Sequence, residues 1–296
     1  MSAWYEETFH ERFRVGFRTR RTLASRQSAF QTIELFETEA YGRALALDGL
    51  MMTSERDEYF YHEMIAHLPL CAVRHPERVL IIGGGDGGTA REVLRHPEVE
   101  RVTMVEIDGD VVDLCREHLP ALGAWDHPKL EVRIEDGVAF ASQAPDGAYD
   151  VVLLDGSDPV GPAEGLFNAA FYSDVKRILR PGGVFGLQSE SPLLQAPVFA
   201  QVQTTLSSVF PQVRPYFGLV PLYAGGSTWS WTLASVDADL ASWDEDRLAA
   251  LEPGLRYLNR EVARAAFAQP AYVKAMLAAD RAGAPFDAPF RTPDAD

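Results

Sequence analysis

Cysteine, long apolar segments and positive charge are all scarce in this sequence, and each scarcity excludes a class of protein. The two cysteines are Cys71 and Cys115, and their helix-like contexts favour free thiols in a reducing compartment over a disulfide framework. The longest apolar runs have the length of strands, so none can span a bilayer. The first residues, MSAWYEETFHERF, lack the apolar core of a signal peptide. We therefore expect a soluble cytoplasmic protein.

Basic residues are outnumbered, with 27 Lys and Arg against 43 Asp and Glu, which gives a formal net charge of −16. Such an excess repels nucleic acid and anionic membranes and attracts cations. The same excess of acids would also arise from a well-solvated surface. Composition alone therefore does not distinguish a protein that binds cations from one that is simply soluble. The 296 residues suit one large domain with a smaller one appended.

The pattern of secondary structure changes near residue 56. Residues 1–55 alternate apolar and polar residues between Gly, Asp and Ser, which predicts a small β-domain. Residues 57–72 show helical spacing, with Asp57 and Glu58 expected in the first turn. Strands alternating with helices then predict an α/β domain over 56–282, a doubly wound and mostly parallel sheet of methyltransferase-like Rossmann type. We expect 283–296 to form a flexible tail.

A Gly-rich turn opens the second domain. The sequence GGGDGG at 83–88 follows an apolar strand and precedes a helix, and Gly83, Gly85 and Gly88 have the G-x-G-x-x-G spacing. Glu106 ends the next strand, where an acid can bind the hydroxyls of a ribose. Dinucleotide enzymes and S-adenosylmethionine-type enzymes share this arrangement, so the motif predicts an adenosyl ligand of either kind.

Asp86 lies inside that turn and narrows the choice of nucleoside. A dinucleotide would place its pyrophosphate at the helix N-terminus, and two like charges ~4 Å apart cost about 4 kcal/mol at an effective dielectric near 20. The same carboxylate would favour a sulfonium or an ammonium, and would repel the α-carboxylate of ordinary S-adenosylmethionine. We therefore expect a cationic adenosyl-sulfur ligand. The alternative is that Asp86 only caps the following helix.

Further aspartates follow two later strands. Asp136, before Gly137, can accept a hydrogen bond from an adenine amino group, cap a helix, or do both. Asp155 and Asp158 follow the apolar strand VVLL, which we expect to be central in the sheet. No His cluster or third ligand accompanies them at a familiar spacing, so a metal site is not predicted.

Two acids at this point fit the chemistry of an amine. An alkyl ammonium has a pKa of about 10.4 and is not nucleophilic at neutral pH. A carboxylate in a dry pocket can accept its proton as the bond to carbon forms. We expect one acid to bind an ammonium and the other to accept this proton.

Taken together, these residues resemble the polyamine aminopropyltransferases, the spermidine synthase family, over roughly residues 4–275. The likeness is carried, in chain order, by FQTIELFET, ERDEYFYHEM, VLIIGGGDGG, MVEIDGDVV, IEDG, DGSDPVGPAEG and PLYAGG. GGGDGG alone is a weak signal, whereas the joint order of these segments is specific. The family transfers an aminopropyl group from decarboxylated S-adenosylmethionine to a diamine, usually putrescine, and gives spermidine and 5′-methylthioadenosine.

The resemblance implies a role for each site residue. Asp155 would be the proton acceptor, and the polyamine site would contain His62, Asp86, Asp155, Asp158, Tyr61 and Tyr223. The nucleoside would contact Gln31, Gly83, Gly85, Glu106, Asp136, Gly137 and Pro162. Several of them also have an ordinary alternative. His62 could be a helix-face histidine, and Tyr61 and Tyr223 could be core aromatics. Gln31 could be a solvated strand residue, and Pro162 could stiffen a loop. The resemblance implies no metal and no cofactor, since the donor is a co-substrate. It also implies a homodimer or homotetramer.

Three departures from the family pattern leave the acceptor amine open. Gly156 lies where many relatives have Ser, Thr or Cys, and Leu222 replaces a frequent Thr. Trp229 and Trp231 crowd the following strand. The first two changes remove hydroxyls near the expected amine pocket, so agmatine or a triamine stays an alternative to putrescine.

Three other functions use the same motifs. A methyltransferase and an NAD-dependent dehydrogenase both fit the Gly-rich turn, but the charge of Asp86 disfavours their ligands. A non-enzymatic polyamine- or nucleoside-binding protein would have no need of Asp155.

Overall fold

The N-terminal region forms a five-stranded antiparallel sheet in the computed structural model, which describes residues 3–9, 13–158 and 161–281. The strands lie in chain order across the sheet, and each pairs with its neighbour. They are β1 (Ala3–Phe9), β2 (Phe13–Gln27), β3 (Thr32–Thr38), β4 (Gly42–Leu47) and β5 (Leu50–Ser54). This arrangement confirms the predicted β-domain.

A second, seven-stranded sheet follows in the described residues. Its strands are β6 (Arg78–Gly83), β7 (Arg101–Glu106), β8 (Leu130–Ile134), β9 (Tyr149–Asp155), β10 (Leu179–Gln188), β11 (Gln212–Val220) and β12 (Ser227–Ser235). The order is β11-β12-β10-β9-β6-β7-β8, and β12 is antiparallel to both of its neighbours while the other pairs are parallel. The mostly parallel sheet and the central place of β9 are as predicted.

Helices connect and cover these strands. They are α1 (Tyr59–Cys71), α2 (Gly88–Val93), α3 (Gly109–His118), α4 (Gly137–Gln143), α5 (Ala169–Ile178), α6 (Ala196–Val209), α7 (Glu245–Leu251), α8 (Arg260–Ala266) and α9 (Ala271–Arg281). The expectation that Asp57 and Glu58 belong to the first turn of a helix is wrong, because α1 begins after them and both side chains make tertiary contacts instead. The helices that follow β12 were not predicted.

The predicted domain limits can be placed on these elements. The division between residues 55 and 56 falls between the end of β5 at Ser54 and the start of α1 at Tyr59. The predicted tail, 283–296, lies outside the described residues. Cys71 and Cys115 are buried and free, as expected. None of the described helices is long and apolar enough to cross a bilayer.

The two central parallel strands are apolar on both sides because helices cover both faces of the sheet. Val79 and Ile81 of β6 pack in one core cluster, whereas Leu80 and Ile82 pack in the cluster on the opposite face. The residues of β9 from 151 to 154 divide between the same two clusters. Burying one such side chain contributes about 1.5–3 kcal/mol, so the centre of the sheet is a rigid base for the loops at its carboxyl edge.

At this edge the Gly-rich turn contacts the end of β9. Gly84 N–H donates to the carbonyl oxygen of Asp155 at 2.8 Å. Gly83 has a φ of 82°, and a Cβ added to it would lie 2.1 Å from that same carbonyl oxygen. Only glycine fits both the backbone angle and the contact. The turn therefore places Asp155 against the mouth of the loop.

We expect Gly83→Ala to cost more than about 3 kcal/mol of unfolding free energy, because the added methyl group overlaps backbone atoms. Gly182→Ala is the control: its φ is 77°, but an added Cβ meets nothing within 4 Å. The control should cost only about 1–2 kcal/mol. Urea unfolding measures both values, and equal losses would contradict a tight contact between the turn and Asp155.

Candidate active site

A cavity opens at the carboxyl edge of the parallel strands and is closed on one side by the N-terminal sheet. Among the residues that line it are Gln31, Tyr61, His62, Gly83, Gly85, Asp86, Glu106, Asp136, Gly137, Asp155 and Tyr223. All of these were candidates from sequence. Asp158 lines a neighbouring cavity instead, and the side chain of Pro162 lies outside the described part of the chain.

Asp86 both caps the helix and forms an ion pair. Its Oδ1 accepts a hydrogen bond from Gly88 N–H at 2.8 Å, and its Oδ2 lies 3.2 Å from Nε2 of His62. Burial alone would raise the pKa of this carboxyl, but His62, the Gly88 N–H and the charge of Arg91 together outweigh burial, and the pKa is lowered. Asp86 is therefore an ionised but partnered carboxylate, rather than the isolated charge that the sequence led us to assume.

Glu106 is buried beneath the Gly-rich turn. A Cβ on Gly85 would lie 2.9 Å from its Oε2, and its Oε1 accepts a hydrogen bond from Asp108 N–H at 3.0 Å. Burial, with the charge of Asp108 acting in the same direction, raises the pKa of Glu106 to about 7. Gln31 approaches the same point from the N-terminal sheet and donates to Oδ2 of Asp108 at 3.0 Å. This end of the cavity presents acceptors and donors suited to ribose hydroxyls.

Asp136 caps α4. Its Oδ1 accepts hydrogen bonds from Val138 N–H at 2.7 Å and Ala139 N–H at 3.2 Å. The capping role that the sequence left open is therefore present. The residue also lines the cavity, so a bond to an adenine amino group stays a prediction.

Asp155 ends the central strand β9, and both of its oxygens have a donor. Tyr61 Oη donates to Oδ1 at 2.7 Å, and Thr89 Oγ1 donates to Oδ2 at 2.6 Å. Burial and the nearby charge of Asp86 raise the pKa of Asp155, and they outweigh these two bonds and His62, which lower it. Asp86 and Asp155 thus have pKa values displaced in opposite directions, a pattern typical of one carboxylate that stays charged and one that exchanges a proton.

Tyr223 faces the cavity from the turn between β11 and β12. Its hydroxyl donates to the carbonyl oxygen of Met52 at 3.0 Å, and its ring lies edge-on to Trp229 with centroids 4.7 Å apart. The preceding residue, Leu222, is buried, and its N–H donates to Oδ2 of Asp57 at 2.7 Å. Asp57 therefore fixes the turn that carries Tyr223.

A second cavity adjoins the first and shares Met52, Tyr61, Gly156, Ser157 and Tyr223 with it. Acidic and amide side chains line its far end: Glu7, Asp158, Gln188 and Gln195. Leu50, Leu194, Phe9 and Trp229 supply apolar walls. The two cavities meet beside Tyr61, whose hydroxyl bonds to Asp155.

Two buried glutamates lie near Asp158 of this second cavity: Glu7, which lines it, and Glu190, which is not among its lining residues. Gln195 donates to Oδ2 of Asp158 at 3.0 Å. Oε2 of Glu7 and Oε2 of Glu190 are buried and find no hydrogen-bond partner within the described ranges. Burial raises the pKa of Glu7 to about 7, and burial together with Asp158 raises the pKa of Glu190 well above its usual range. Burial thus favours the neutral form of both groups in the empty protein, and a cation bound beside Glu7 would favour its ionised form.

Several of these residues were missed by the sequence analysis. Glu190 follows β10 at the carboxyl edge of the sheet, so the rule that ligands bind beyond strand ends could have found it. Thr89 directly follows the Gly-rich turn and could have been found in the same way. Glu7 gives no local signal, because it lies beside a second glutamate, Glu6, that points outward.

Three features of the arrangement bear on its chemistry. Hydrogen-bond acceptors such as Glu106 and Asp136 line the first cavity, Glu7 and Asp158 line the second, and Asp155 lies near their junction with a raised pKa. Within the described part of the chain, no three His, Cys, Asp or Glu side chains are grouped so as to hold a metal ion.

The family follows from two sequence models. One, described as the spermine/spermidine synthase domain, matches residues 58–242, more than half of the chain. The chain belongs to the spermine/spermidine synthase family. A second model, the spermidine synthase tetramerisation domain, matches residues 3–55 and supports an oligomer.

Curated relatives agree with this membership of the spermine/spermidine synthase family. A polyamine aminopropyltransferase of Prochlorococcus marinus is 47% identical over 238 residues, which cover 80% of this chain and 82% of that protein. One of Bacillus cytotoxicus is 39% identical over 274 residues, covering 92% and 98%. This chain is therefore an enzyme of the polyamine aminopropyltransferase type.

Solved structures of the family confirm the predicted fold. Spermidine synthase from Thermotoga maritima superposes with a TM-score of 0.89 at 36% identity, covering 93% of this chain and 94% of that one. A spermidine synthase in complex with the transition-state analogue AdoDATO gives a TM-score of 0.90 at 36% identity, covering 93% and 95%. Both sheets of this chain thus have counterparts in enzymes of known fold.

The ligand-free protein should lose stability as Glu106 ionises. Folding raises the pKa of Glu106 from 4.5 to about 7, so between these values the folded state holds a proton that the unfolded state does not. The free energy of unfolding therefore falls as the pH rises through this window, by about 3 kcal/mol from this group. Glu106→Gln cannot ionise, so we expect it to lack this part of the pH dependence.

Chemical denaturation at a series of pH values measures the effect. Glu117→Gln is the control, because that side chain is 70% exposed. A Glu106→Gln curve parallel to that of the control would show that Glu106 is ionised in the folded protein throughout this window.

Proposed function

We propose that this enzyme transfers the aminopropyl group of decarboxylated S-adenosylmethionine to putrescine and releases spermidine and 5′-methylthioadenosine. The observation that carries the proposal is the junction, beside Asp155, of a cavity lined by Glu106 and the Gly-rich turn with a second cavity lined by Glu7 and Asp158. Membership of the spermine/spermidine synthase family supports it independently. One related structure contains AdoDATO, described as a transition-state analogue.

The first cavity fits the donor nucleoside. Glu106, Gln31, Asp136 and Gly137 line it together, the first two for the ribose and the last two for the adenine in this proposal. Gly83 and Gly85 bring the backbone close without side chains in the way. Asp86 stays ionised but is paired with His62, so this wall can accept the ammonium of the donor and repels a donor carboxylate only weakly. That charge preference supports the decarboxylated donor.

Asp155 is the proposed proton acceptor. The amine nitrogen attacks the carbon bonded to the sulfonium sulfur, the carbon–sulfur bond breaks with its electrons going to sulfur, and the nitrogen gives its proton to Asp155. A raised pKa strengthens Asp155 as a base. The bonds from Tyr61 and Thr89 hold its two oxygens in place. A sulfonium leaves readily, so the proposed reaction needs neither a metal nor a cofactor, and the nucleoside is a co-substrate.

The second cavity fits the rest of the acceptor. Apolar side chains such as Leu50 and Trp229 suit a chain of methylene groups. Glu7 and Asp158 line it and can hold the second ammonium, because a cation beside Glu7 would offset the cost of ionising its buried carboxyl group. Tyr61, Tyr223, His62 and Asp86 border the path between the two ends. The polyamine role of these residues is part of the same proposal.

Assembly and location complete the proposal. The match of residues 3–55 to a tetramerisation domain supports a homodimer or homotetramer. Free buried cysteines at positions 71 and 115 are in keeping with a cytoplasmic enzyme. A small-molecule diamine and an adenosyl-sulfur nucleoside are the proposed partners, and neither nucleic acid nor a membrane is involved.

Mass spectrometry of reaction products tests the activity. After incubation with decarboxylated S-adenosylmethionine and an equimolar mixture of putrescine, agmatine and spermidine, we expect spermidine and methylthioadenosine to form in equal amounts. Aminopropylagmatine or spermine as the main product would overturn putrescine as acceptor. Methyl transfer from ordinary S-adenosylmethionine, with no aminopropyl transfer, would overturn the function.

Asp155→Asn should lower kcat by about 10²–10⁴-fold, because the amide cannot accept the proton. Methylthioadenosine should still bind with an affinity close to that of the wild type, measured by calorimetry. Asp146→Asn is the control, since its side chain is 80% exposed. A kcat for Asp155→Asn near that of the control would rule out Asp155 as the base.

Glu7→Gln should raise KM for putrescine about tenfold or more, since a charged hydrogen bond contributes about 1.5–3 kcal/mol. The KM for the donor and kcat should change little, because Glu7 lines only the second cavity. Glu6→Gln is a matched control from the next position of β1, with a side chain 55% exposed. If both variants behave alike in steady-state kinetics, the second cavity does not bind the amine.

A further inference from the structure

The buried histidine of the site, His62, lies between two carboxylates. Its Nδ1 is 2.7 Å from Oε2 of Glu58, and its Nε2 is 3.2 Å from Oδ2 of Asp86. The side chain is 2% exposed, so water does not compete for either nitrogen. The ring packs against the start of α2, where a Cβ on Gly88 would lie 2.2 Å from it. The ring therefore has little freedom to turn away from either carboxylate.

This geometry fixes the charge of the ring. A carboxylate can only accept a hydrogen bond, and a neutral imidazole has one N–H. If both carboxyl groups are ionised, both are satisfied only when both ring nitrogens carry protons. Burial disfavours the charged form, but Asp86 and Glu58 outweigh it, and the pKa of His62 is well above its usual range.

Glu58 is in turn held by Arg91. Nη2 of Arg91 lies 2.7 Å from Oε2 of Glu58, the oxygen that also faces His62. Arg91 is anchored by Glu92 at 2.8 Å and by the carbonyl oxygen of Leu122 at 2.9 Å. Burial alone would raise the pKa of Glu58, but the two cations lower it. Glu58 is thus an ionised, immobile carboxylate behind the histidine.

We propose that Glu58, anchored by Arg91, is a positioning residue that keeps His62 an imidazolium and, through it, holds the Asp86 carboxylate in the donor and amine site. Glu58 acts only through His62. The row Arg91–Glu58–His62–Asp86 alternates in sign, so the charge of Asp86 is balanced in the resting protein. Only the kinetic test of this proposal rests on the proposed function.

Other titratable groups also face His62. Tyr61 and Asp57 belong to its own segment, and Asp155 faces it from β9. With Glu58 in place, His62 stays charged across the working pH range. Without the charge of Glu58, His62 loses one of its two close carboxylates, so its pKa falls and it titrates within that range.

Nitrogen-15 spectra of the imidazole rings test the proposal directly. In the wild type, both ring nitrogens of His62 should be protonated at about pH 8, where an ordinary histidine is neutral; His62→Gln assigns the signals. In Glu58→Gln, His62 should titrate at a lower pH. As the pH rises through that value, the kcat/KM of Glu58→Gln for the amine should fall about tenfold relative to the wild type, because a neutral ring holds Asp86 less strongly.

Glu63→Gln is the matched control. Glu63 is also a buried glutamate of α1, but it accepts the N–H groups of Arg256, Tyr257 and Leu258 and not His62. It should lose stability and keep the wild-type titration of His62. The same new inflection in Glu63→Gln, or none in Glu58→Gln, would overturn the proposal.

The wild-type spectrum decides the matter even if Glu58→Gln does not fold. A single protonated nitrogen on His62 at about pH 8 would overturn the proposal. This measurement needs no substrate, so absence of aminopropyl transfer would count against the proposed function and leave the role of Glu58 to the spectra.

Discussion

The site depends on one backbone contact at the centre of the parallel sheet. Gly84 N–H bonds to the carbonyl oxygen of Asp155, and the absence of a side chain at Gly83 lets the two strand ends approach. This contact places the Gly-rich turn, which lines the first cavity, against Asp155, the residue with the raised carboxyl pKa. Because β6 and β9 are packed on both faces, neither end can move independently of the other.

This arrangement buries several carboxyl groups close together, which is unfavourable. The two cavities offset this cost in different ways. In the first, Asp86 is balanced by His62, and the chain itself supplies the cation. In the second, Glu7 keeps a buried oxygen without a hydrogen-bond partner in the described residues. Such groups are stable only if protonated or paired. A cationic ligand that pairs with such a group would remove this cost, and the gain would strengthen its binding.

The sequence predicted best those features that local motifs determine. The two sheets, the central place of β9 and the cavity residues at 83–86, 106, 136 and 155 follow short contiguous signals at strand ends, where parallel strands share one edge. The roles of these residues stay predictions. Partners such as Glu58, Thr89 and Glu190 were missed because their contacts arise from packing between distant segments. Asp86 was interpreted as an isolated charge for the same reason, since its pairing with His62 is a tertiary contact.

The position of Glu7 has a consequence for how the family could vary. This residue belongs to β1, in the segment that matches a tetramerisation domain, yet it forms a wall of the cavity beside Asp158. Under the proposed function, one small sheet serves both the packing of subunits and the fit of a ligand. Substitutions that alter the contacts between subunits would also alter this cavity wall. Conversely, substitutions that adapt the wall to a new acceptor would have to preserve those contacts.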